Sequence, residues 1–274
     1  MMVEALVYFF VPALVGVLIG IASGLLGIGG GTVMVPIFRL AFGMSATMST
    51  ATSLFAIIPT SISGAISHAK GKTCIPALGI AAGLGGACMS PIGVWLAQLS
   101  PDWLVMLVAA LIIGYSAINM FKKAFKLRPA GQPAAGVDAA APTADDSSLS
   151  RKQLLQGAAI GLVAGLASGY VGVGGGFIMV PLMLSIIGIP MRKASGTSLI
   201  AVMILAIPGV IEQGIIGNIN YLAGIAIVIG TIPGAVIGAR LVTKVPERTL
   251  RLLFGCFLIV AAVMLVLNEV GIFG

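Results

Sequence analysis

Charge is the property that this chain has least of. Asp, Glu, Lys and Arg make up 8% of the residues, whereas hydrophobic residues make up 59%. A soluble globular domain carries about 25% charged residues, so the composition excludes that class of protein. Uncharged stretches long enough to cross a bilayer as a helix recur along the chain. They are continuously apolar and lack the alternation of barrel strands, which predicts an all-α polytopic membrane protein.

The chain also lacks the residue sets of enzymes and metal sites. It has a single His, no HExxH, no nucleophile elbow and no pair of carboxylates in one apolar segment. Its three cysteines have no CxxC or metal-ligand spacing. We therefore expect no enzyme activity, no metal and no cofactor. The net charge of +7 indicates orientation in the bilayer and contact with anionic lipid rather than nucleic acid.

Glycine, by contrast, is abundant and arranged in a repeat. The run Gly-Leu-Leu-Gly-Ile-Gly-Gly-Gly at 24–31 returns as Gly-Tyr-Val-Gly-Val-Gly-Gly-Gly at 169–176, which is 145 positions later. Between 16–38 and 161–183, 12 of 23 residues are identical. A chain duplicated in this way, with the same breaks in equivalent apolar segments, is typical of transporters.

The two copies predict matching sets of membrane segments. Residues 1–126 form the first repeat and 151–274 the second, and 127–150, rich in Ala, Pro, Ser and Asp, form a flexible linker. Together the copies contain eight long apolar segments, at about 5–26, 47–67, 75–97, 103–123, 153–171, 194–213, 220–241 and 250–270, and two short ones, at about 32–43 and 177–188. The N-terminus has no basic region, so its first segment is interpreted as a membrane helix rather than a removed signal.

The positive charges distinguish two topologies. If the short segments cross nothing and each half crosses four times, Lys and Arg divide 8 to 7 between the two faces. If each long–short pair returns to its starting side, they divide 14 to 1, and Arg39 alone lies on the other face. The positive-inside rule favours the second topology. It makes the halves an inverted repeat, with a cytoplasmic linker and both termini outside.

The glycine triplets predict helix breaks. Each Gly costs a helix about 1 kcal/mol relative to Ala, so we expect Gly29–Gly31 and Gly174–Gly176 to interrupt their helices. Short helices would restart near Thr32 and Phe177, and their unpaired N–H groups and positive dipole ends would favour an anion. For the glycines spaced by four residues in the preceding helices, such as Gly16, the alternative of close helix packing is favoured.

Small hydroxyls and a few polar residues complete the candidate site. Hydroxyls suit a desolvated oxyanion, although ordinary interhelical hydrogen bonding explains them equally well. The predicted substrate-binding residues are Gly29, Gly30, Gly31, Thr32, Thr52, Ser53, Gly174, Gly175, Gly176, Phe177, Thr197 and Ser198. Candidates for ion coupling are His68, Glu212 and Gln213, with interfacial solvation as the alternative.

These motifs resemble a known family. Two copies of G-x₂-G-x-G-G-G, each followed by Met-Val-Pro (34–36 and 179–181) and then by a Thr-Ser-Leu helix, are similar to the TauE/SafE family of sulfite and organosulfonate exporters. The resemblance implies a bacterial inner-membrane transporter for sulfite or another small sulfur oxyanion. Alternating access of the two halves is the expected mechanism. A passive anion channel and a structural or partner-binding membrane subunit are the alternatives.

Overall fold

The computed structural model describes residues 2–126 and 150–269, and side chains over 12–125 and 150–267. Residues 127–149 of the predicted linker lie outside the described residues. The described chain is helical, and its elements are α1 (Met2–Leu26), α2 (Gly31–Phe42), α3 (Ala46–Lys70), α4 (Pro76–Leu99), α5 (Asp102–Lys126), α6 (Arg151–Val171), α7 (Gly176–Leu182), a π-helical turn (Met183–Ile187), α8 (Met191–Ile216), α9 (Tyr221–Leu241) and α10 (Glu247–Glu269). The predicted set of eight long and two short helical segments is confirmed.

The long helices fit a bilayer. Seven of them, α3 to α6 and α8 to α10, are long and apolar enough to cross a membrane. In α1 the described apolar part is Pro12–Leu26. Large hydrophobic side chains such as Leu155 and Ile215 are exposed on the outside of the bundle, at 71% and 82%, where a lipid-facing surface is expected. The chain is a multi-pass membrane protein.

The two halves are inverted relative to each other. Helices α3 and α8 occupy equivalent places in the repeat, and they pack antiparallel. A methyl carbon placed on Gly64 would lie 2.8 Å from Leu199, and one placed on Gly209 would lie 3.5 Å from Leu54. Because position increases along one helix as it decreases along the other, equivalent helices run in opposite directions. This is the arrangement that the distribution of positive charge predicted.

The halves also interleave. Helix α1 packs along α9 of the other half, and α6 packs along α4. A methyl carbon on Gly16 would lie 2.5 Å from the carbonyl oxygen of Ile227, so only glycine permits this approach. The glycines of α1, α4, α6 and α9 that similarly face a carbonyl of the opposing helix include Gly20, Gly24, Gly85, Gly93, Gly161, Gly165, Gly169, Gly230, Gly234 and Gly238. The prediction that the four-residue glycine spacing serves helix packing is confirmed.

Equivalent carboxylates cap the two central helices. Asp102 at the start of α5 accepts a hydrogen bond from the Ala46 N–H at 3.3 Å, and Glu247 at the start of α10 accepts one from the Met191 N–H at 3.3 Å. Negative side chains at helix N-termini are favourable because of the helix dipole. The same contact therefore fixes the starts of α3 and α8 at opposite ends of the bundle.

Candidate functional site at the contact of two helix breaks

Each break is built from three left-handed glycines. In the first, Gly27, Gly29 and Gly30 have φ of 75°, 81° and 85°. In the second, the equivalent residues Gly172, Gly174 and Gly175 have φ of 71°, 87° and 61°. Residues with a Cβ rarely adopt this region, so the spacing of the glycines encodes the break. The last glycine of each triplet has ordinary helical geometry and begins α2 or α7.

The two breaks contact each other in the core. A methyl carbon on Gly31 would lie 2.5 Å from the Val173 carbonyl oxygen, and one on Gly176 would lie 2.9 Å from the Ile28 Cα atom. Residues 27–31 and 172–176 are all buried. Ile57, near the middle of α3, packs against both breaks. The predicted breaks therefore meet at the level of the middle of α3.

The starts of α2 and α7 therefore lie side by side. Gly30 and Gly175 occupy the N-cap positions, and no side chain caps either helix. The carbonyls of Gly30 and Gly175 accept the first N–H bonds of the two helices. At α7 the Gly176 N–H donates to the Gly174 carbonyl at 2.6 Å. The other N–H groups before these bonds have no intrahelical partner, and the positive dipole ends of both helices lie at the contact between the breaks.

Buried hydroxyls without a hydrogen-bond partner surround this contact. Ser23 packs against Gly30, and its equivalent Ser168 packs against Gly175, with each serine Cβ 3.5–3.6 Å from a methyl carbon placed on that glycine. The hydroxyls in the described chain that are buried without a partner are those of Ser23, Thr32, Ser49, Ser53, Ser61, Ser90 and Ser168. A buried polar group left unpaired costs about 1–3 kcal/mol, so such groups are candidates to bind a ligand.

Three of the four predicted hydroxyls on α3 and α8 bond within the protein. Thr52 accepts from the Asn220 N–H at 3.0 Å, and Thr197 accepts from the Ile75 N–H at 2.9 Å. Asn220 and Ile75 immediately precede α9 and α4, so each threonine orients a helix of the other half. Ser198 donates to the Gly27 carbonyl at 2.7 Å.

Among the predicted hydroxyls on these two helices only Ser53 has no partner in the described structure, and on α3 the same is true of Ser49 and of Ser61, which are not among the predicted residues. Ser61 lies two helical turns after Ser53, and its Oγ is 3.5 Å from a methyl carbon placed on Gly29. Its equivalent in the second half is Ala206. The search for repeated residues therefore passed over Ser61, whereas the spacing of eight residues from Ser53 along one face of α3 would have found it. Thr32 and Phe177 are both fully buried beside the helix starts.

The coupling candidates differ in what they contact. His68 is buried; its Nε2 lies 2.7 Å from the Gly24 carbonyl oxygen and its Nδ1 lies 2.7 Å from the Thr73 hydroxyl. A carbonyl only accepts, so Nε2 carries a proton and donates. Gln213, the equivalent of His68, accepts from the Asn218 amide at 2.8 Å. Glu212 has one buried carboxylate oxygen without a partner. Nowhere in the described chain do three His, Cys, Asp or Glu side chains form a group that could hold a metal ion.

Comparisons with known proteins agree on the type of protein. The chain is 27% identical over 278 residues to the probable membrane transporter protein YunE of Bacillus subtilis, covering 97% of this chain and 99% of that protein. It is 28% identical over 239 residues to the probable membrane transporter protein YdhB of the same organism, covering 87% and 92%. It is 25% identical over 271 residues to the probable membrane transporter protein MJ0441 of Methanocaldococcus jannaschii, covering 93% and 94%. No solved structure matches the chain.

The family assignment covers nearly the whole chain. The model of the family described as sulfite exporter TauE/SafE matches residues 12–265, a range that includes both glycine breaks and all of the helices that pack around them. The resemblance seen in the sequence motifs is thereby confirmed, and the chain belongs to the sulfite exporter TauE/SafE family.

Proposed function

We propose that this protein exports a small anion, sulfite or a related sulfur oxyanion or organosulfonate, from a site at the contact between the two helix breaks. The observation that supports the proposal most directly is the coincidence of two helix starts without a side-chain cap with the buried, unpartnered hydroxyls of Ser23, Ser61 and Ser168. Ser53, one helical turn before Ile57 on α3, is a further unpartnered hydroxyl. The description of the family supplies the substrate class.

The donors at this contact suit transient binding. Backbone N–H groups and serine hydroxyls are neutral, so they stabilise an oxyanion without a buried opposite charge that would trap it. Each hydrogen bond to a charged group contributes about 1.5–3 kcal/mol. The hydroxyls at the breaks supply donors that nothing else in the described protein occupies. These donors come from several directions. An anion with several oxygens can accept from more of them at once than an anion with a single acceptor atom.

The inverted architecture supports alternating access. When two halves of inverted topology surround one site, exchanging their conformations converts an inward-open state into an outward-open state. The break residues are buried, as an occluded intermediate of such a cycle requires. Access would open by movement of α2 and α7, which are the short helices that begin at the site and each contain a proline, Pro36 or Pro181.

The orientation in the membrane is inferred from the positive charges. The positive-inside rule places the ends of α3 and α5 and the starts of α6 and α8 in the cytoplasm of a bacterial cell. An inside-negative potential then drives an anion outward by about 2.3 kcal/mol per charge per 100 mV. Among the coupling candidates Glu212 has the unpartnered oxygen, so we propose it ahead of His68 as the group that would exchange a proton. The Gln213 amide does not titrate and would serve only as a hydrogen-bonding neighbour.

The proposal is tested by uptake of labelled sulfite into proteoliposomes that contain the purified protein, with thiosulfate, a small sulfonate and acetate as competitors. We expect saturable uptake that the sulfur compounds inhibit and acetate does not. Flux that rises linearly with concentration and follows the imposed voltage would instead identify a passive channel. Folded protein without flux of any of these anions would contradict the proposal.

Serine substitutions on α3 distinguish a role in binding the anion from a role in helix packing. Ser61→Ala should reduce sulfite uptake while the protein still folds, because the Ser61 hydroxyl has no partner in the described structure. Ser63→Ala is the matched control, since Ser63 lies on the same helix, is half-buried and has a partner within the protein, the Ile232 carbonyl, to which it donates at 2.9 Å. Equal uptake by both variants would remove Ser61 from the site.

A further inference from the structure

An apolar groove opens beside α5. It has a volume of 480 Å³ and is lined by side chains of α4, α5, α6 and α7, including Leu96, Ile112 and Leu182. At its rim Tyr115 and Val163 are 69% and 57% exposed. These exposed rim residues lie on membrane-spanning helices, so the groove opens toward the lipid rather than toward the core.

The groove leads to a pair of lysines. Asn119 lines it and also lines a second cavity of 660 Å³, whose other residues include Lys122 and Lys123. Val108, Ile112, Asn119 and Lys123 succeed one another along one face of α5 at helical spacing. From Val108 to Lys123 the helix rises by about 22 Å, so the apolar groove and the cavity lined by the lysines adjoin along this face, at Asn119.

The charge at this end is not compensated by the contacts of Lys123. Its ammonium group donates to the Pro181 carbonyl at 3.1 Å and to the Ser185 hydroxyl, both of which are neutral. Lys122 is exposed next to it. Arg251, at the start of α10, also lies in the neighbourhood of Lys123, but its guanidinium donates to the Glu247 carboxylate, so the uncompensated charges are those of Lys122 and Lys123. The end of the groove therefore carries an excess of positive charge.

The repeat architecture does not account for this feature. In the second half the positions equivalent to Asn119 and Lys122 are Met264 and Leu267. The seam between α5 and α10 has another groove of 310 Å³, and its lining residues are all apolar. Of these two grooves in the described part of the chain, only the one that ends at Lys122 joins an apolar path to lysines.

We propose that this groove binds a phospholipid with an anionic headgroup. In a bilayer an apolar groove open to lipid is filled by an acyl chain, and the lysines would then contact the phosphate of the headgroup. A basic residue near the membrane surface attracts anionic lipid, which gives preference over a zwitterionic lipid of equal chain length. The lipid site is separate from the site proposed for the transported anion, and lipid binding can be tested without measuring transport.

Native mass spectrometry of the full-length protein tests the headgroup. The protein is incubated with equal amounts of phosphatidylglycerol and phosphatidylcholine that have identical acyl chains, and the retained lipid is counted. We expect retention of phosphatidylglycerol, reduced about fivefold by Lys122→Gln. Lys152→Gln, which removes an exposed lysine near the start of α6, is the control and should retain as much as the unmodified protein. Lys122 is exposed, so its replacement leaves the fold intact.

Two variants test whether the acyl chain lies in the apolar groove. Ala167→Phe places a ring in the 480 Å³ groove and should reduce retention, whereas Ala262→Phe fills the 310 Å³ groove and should not. Equal retention of both lipids, or full retention by Lys122→Gln, would overturn the proposal. Displacement of the lipid by inorganic phosphate would also overturn it, since the lysines would then bind free phosphate and not a lipid held by its chains.

Discussion

The two copies of the repeat have the same helix break, but the short helices that begin at the breaks differ. After the first break α2 continues for 12 residues as a regular helix. After the second, α7 lasts 7 residues and passes into the π-helical turn Met183–Ile187. Short π-helical segments occur frequently at functional sites. The two breaks have left-handed glycines at equivalent positions, but only the first is followed by a regular α-helix.

The central helices differ as well. On α3 the hydroxyls of Ser53 and Ser61 have no partner in the described structure. On α8 the equivalent of Ser53 is Ser198, which bonds to Gly27, and the equivalent of Ser61 is Ala206. The architecture is thus symmetric, whereas the available donors are concentrated in the first half. We therefore propose that hydroxyls of α3 bind the anion and that Ser198 of α8 holds the first break in place.

The contact between the two breaks, which the halves share, is tested by Gly31→Ala and Gly176→Ala. Each added methyl group would overlap backbone atoms of the other break, at 2.5 Å for the Val173 carbonyl oxygen and 2.9 Å for the Ile28 Cα atom. We expect each variant to lose stability by about 1–3 kcal/mol and to lose sulfite uptake almost completely, because the contact between the breaks must widen. Thermal unfolding in detergent and proteoliposome flux measure the two effects.

Gly114→Ala is the control for these variants, since nothing lies within 4 Å of a methyl carbon at that position on α5. It should fold and transport normally. A large effect at Gly31 with none at Gly176 would show that the breaks are not functionally equivalent, and it would confine the site to one of them.

The difference between the hydroxyls of α3 and α8 is tested by comparing Ser53→Ala with Ser198→Ala. Loss of the unpartnered Ser53 hydroxyl removes the cost of a buried unpaired group, so stability without the anion should be equal or higher. Loss of a bond to the anion should reduce uptake about 10- to 100-fold. Ser198→Ala should instead lower stability by about 1 kcal/mol, because it removes the bond to Gly27. Uptake at saturating and limiting sulfite, together with thermal unfolding, distinguishes the two outcomes. A stable Ser198→Ala variant with lost uptake would reverse the roles of the two helices.

Thr52→Val and Thr197→Val should lower stability equally, and they should reduce uptake less than Ser53→Ala does. Each removes the acceptor for one N–H that precedes a helix of the other half, at Asn220 or Ile75. Valine keeps the shape of threonine, so the loss of stability should be about 1–3 kcal/mol in both. Chemical denaturation measures it, with uptake per folded molecule as the second readout. If uptake per folded molecule falls sharply while stability is kept, the threonines belong to the anion site after all.

Sequence reasoning found the fold because the fold is encoded in local patterns. The spacing of Gly27, Gly29 and Gly30 determines the break, and the distribution of Lys and Arg indicates the inversion. It missed which helices would pair, because stripes of small residues on α1 and α9 show that each can be approached closely but not by which partner. The hydrogen bond between Thr52 and the Asn220 N–H was not predicted for the same reason, since the two residues lie 168 positions apart; the prediction that Thr52 binds the anion stays a prediction.

The smallest expected effect concerns the π-helical turn, which occurs after α7 and has no counterpart after α2 in the described chain. Lys123 donates to the Pro181 carbonyl and to the Ser185 hydroxyl, so it ties the end of α7 to α5. Lys123→Met removes both bonds and should cost about 0.5–1.5 kcal/mol of local stability. Amide hydrogen exchange should therefore become faster between Met183 and Ile187 and stay unchanged in α2.

Measurement of uptake shows whether the hydrogen bonds of Lys123 affect transport or only the stability of α7. If movement of α7 opens the site, loosening it should change the maximal rate of sulfite uptake more than the concentration for half-maximal uptake, because no donor at the breaks is altered. Lys152→Met, at the same end of the bundle but exposed on α6, controls for the loss of a positive charge. Unchanged exchange in the turn would mean that α7 is held by its buried contacts alone, and the difference between the two short helices would then be one of shape and not of mobility.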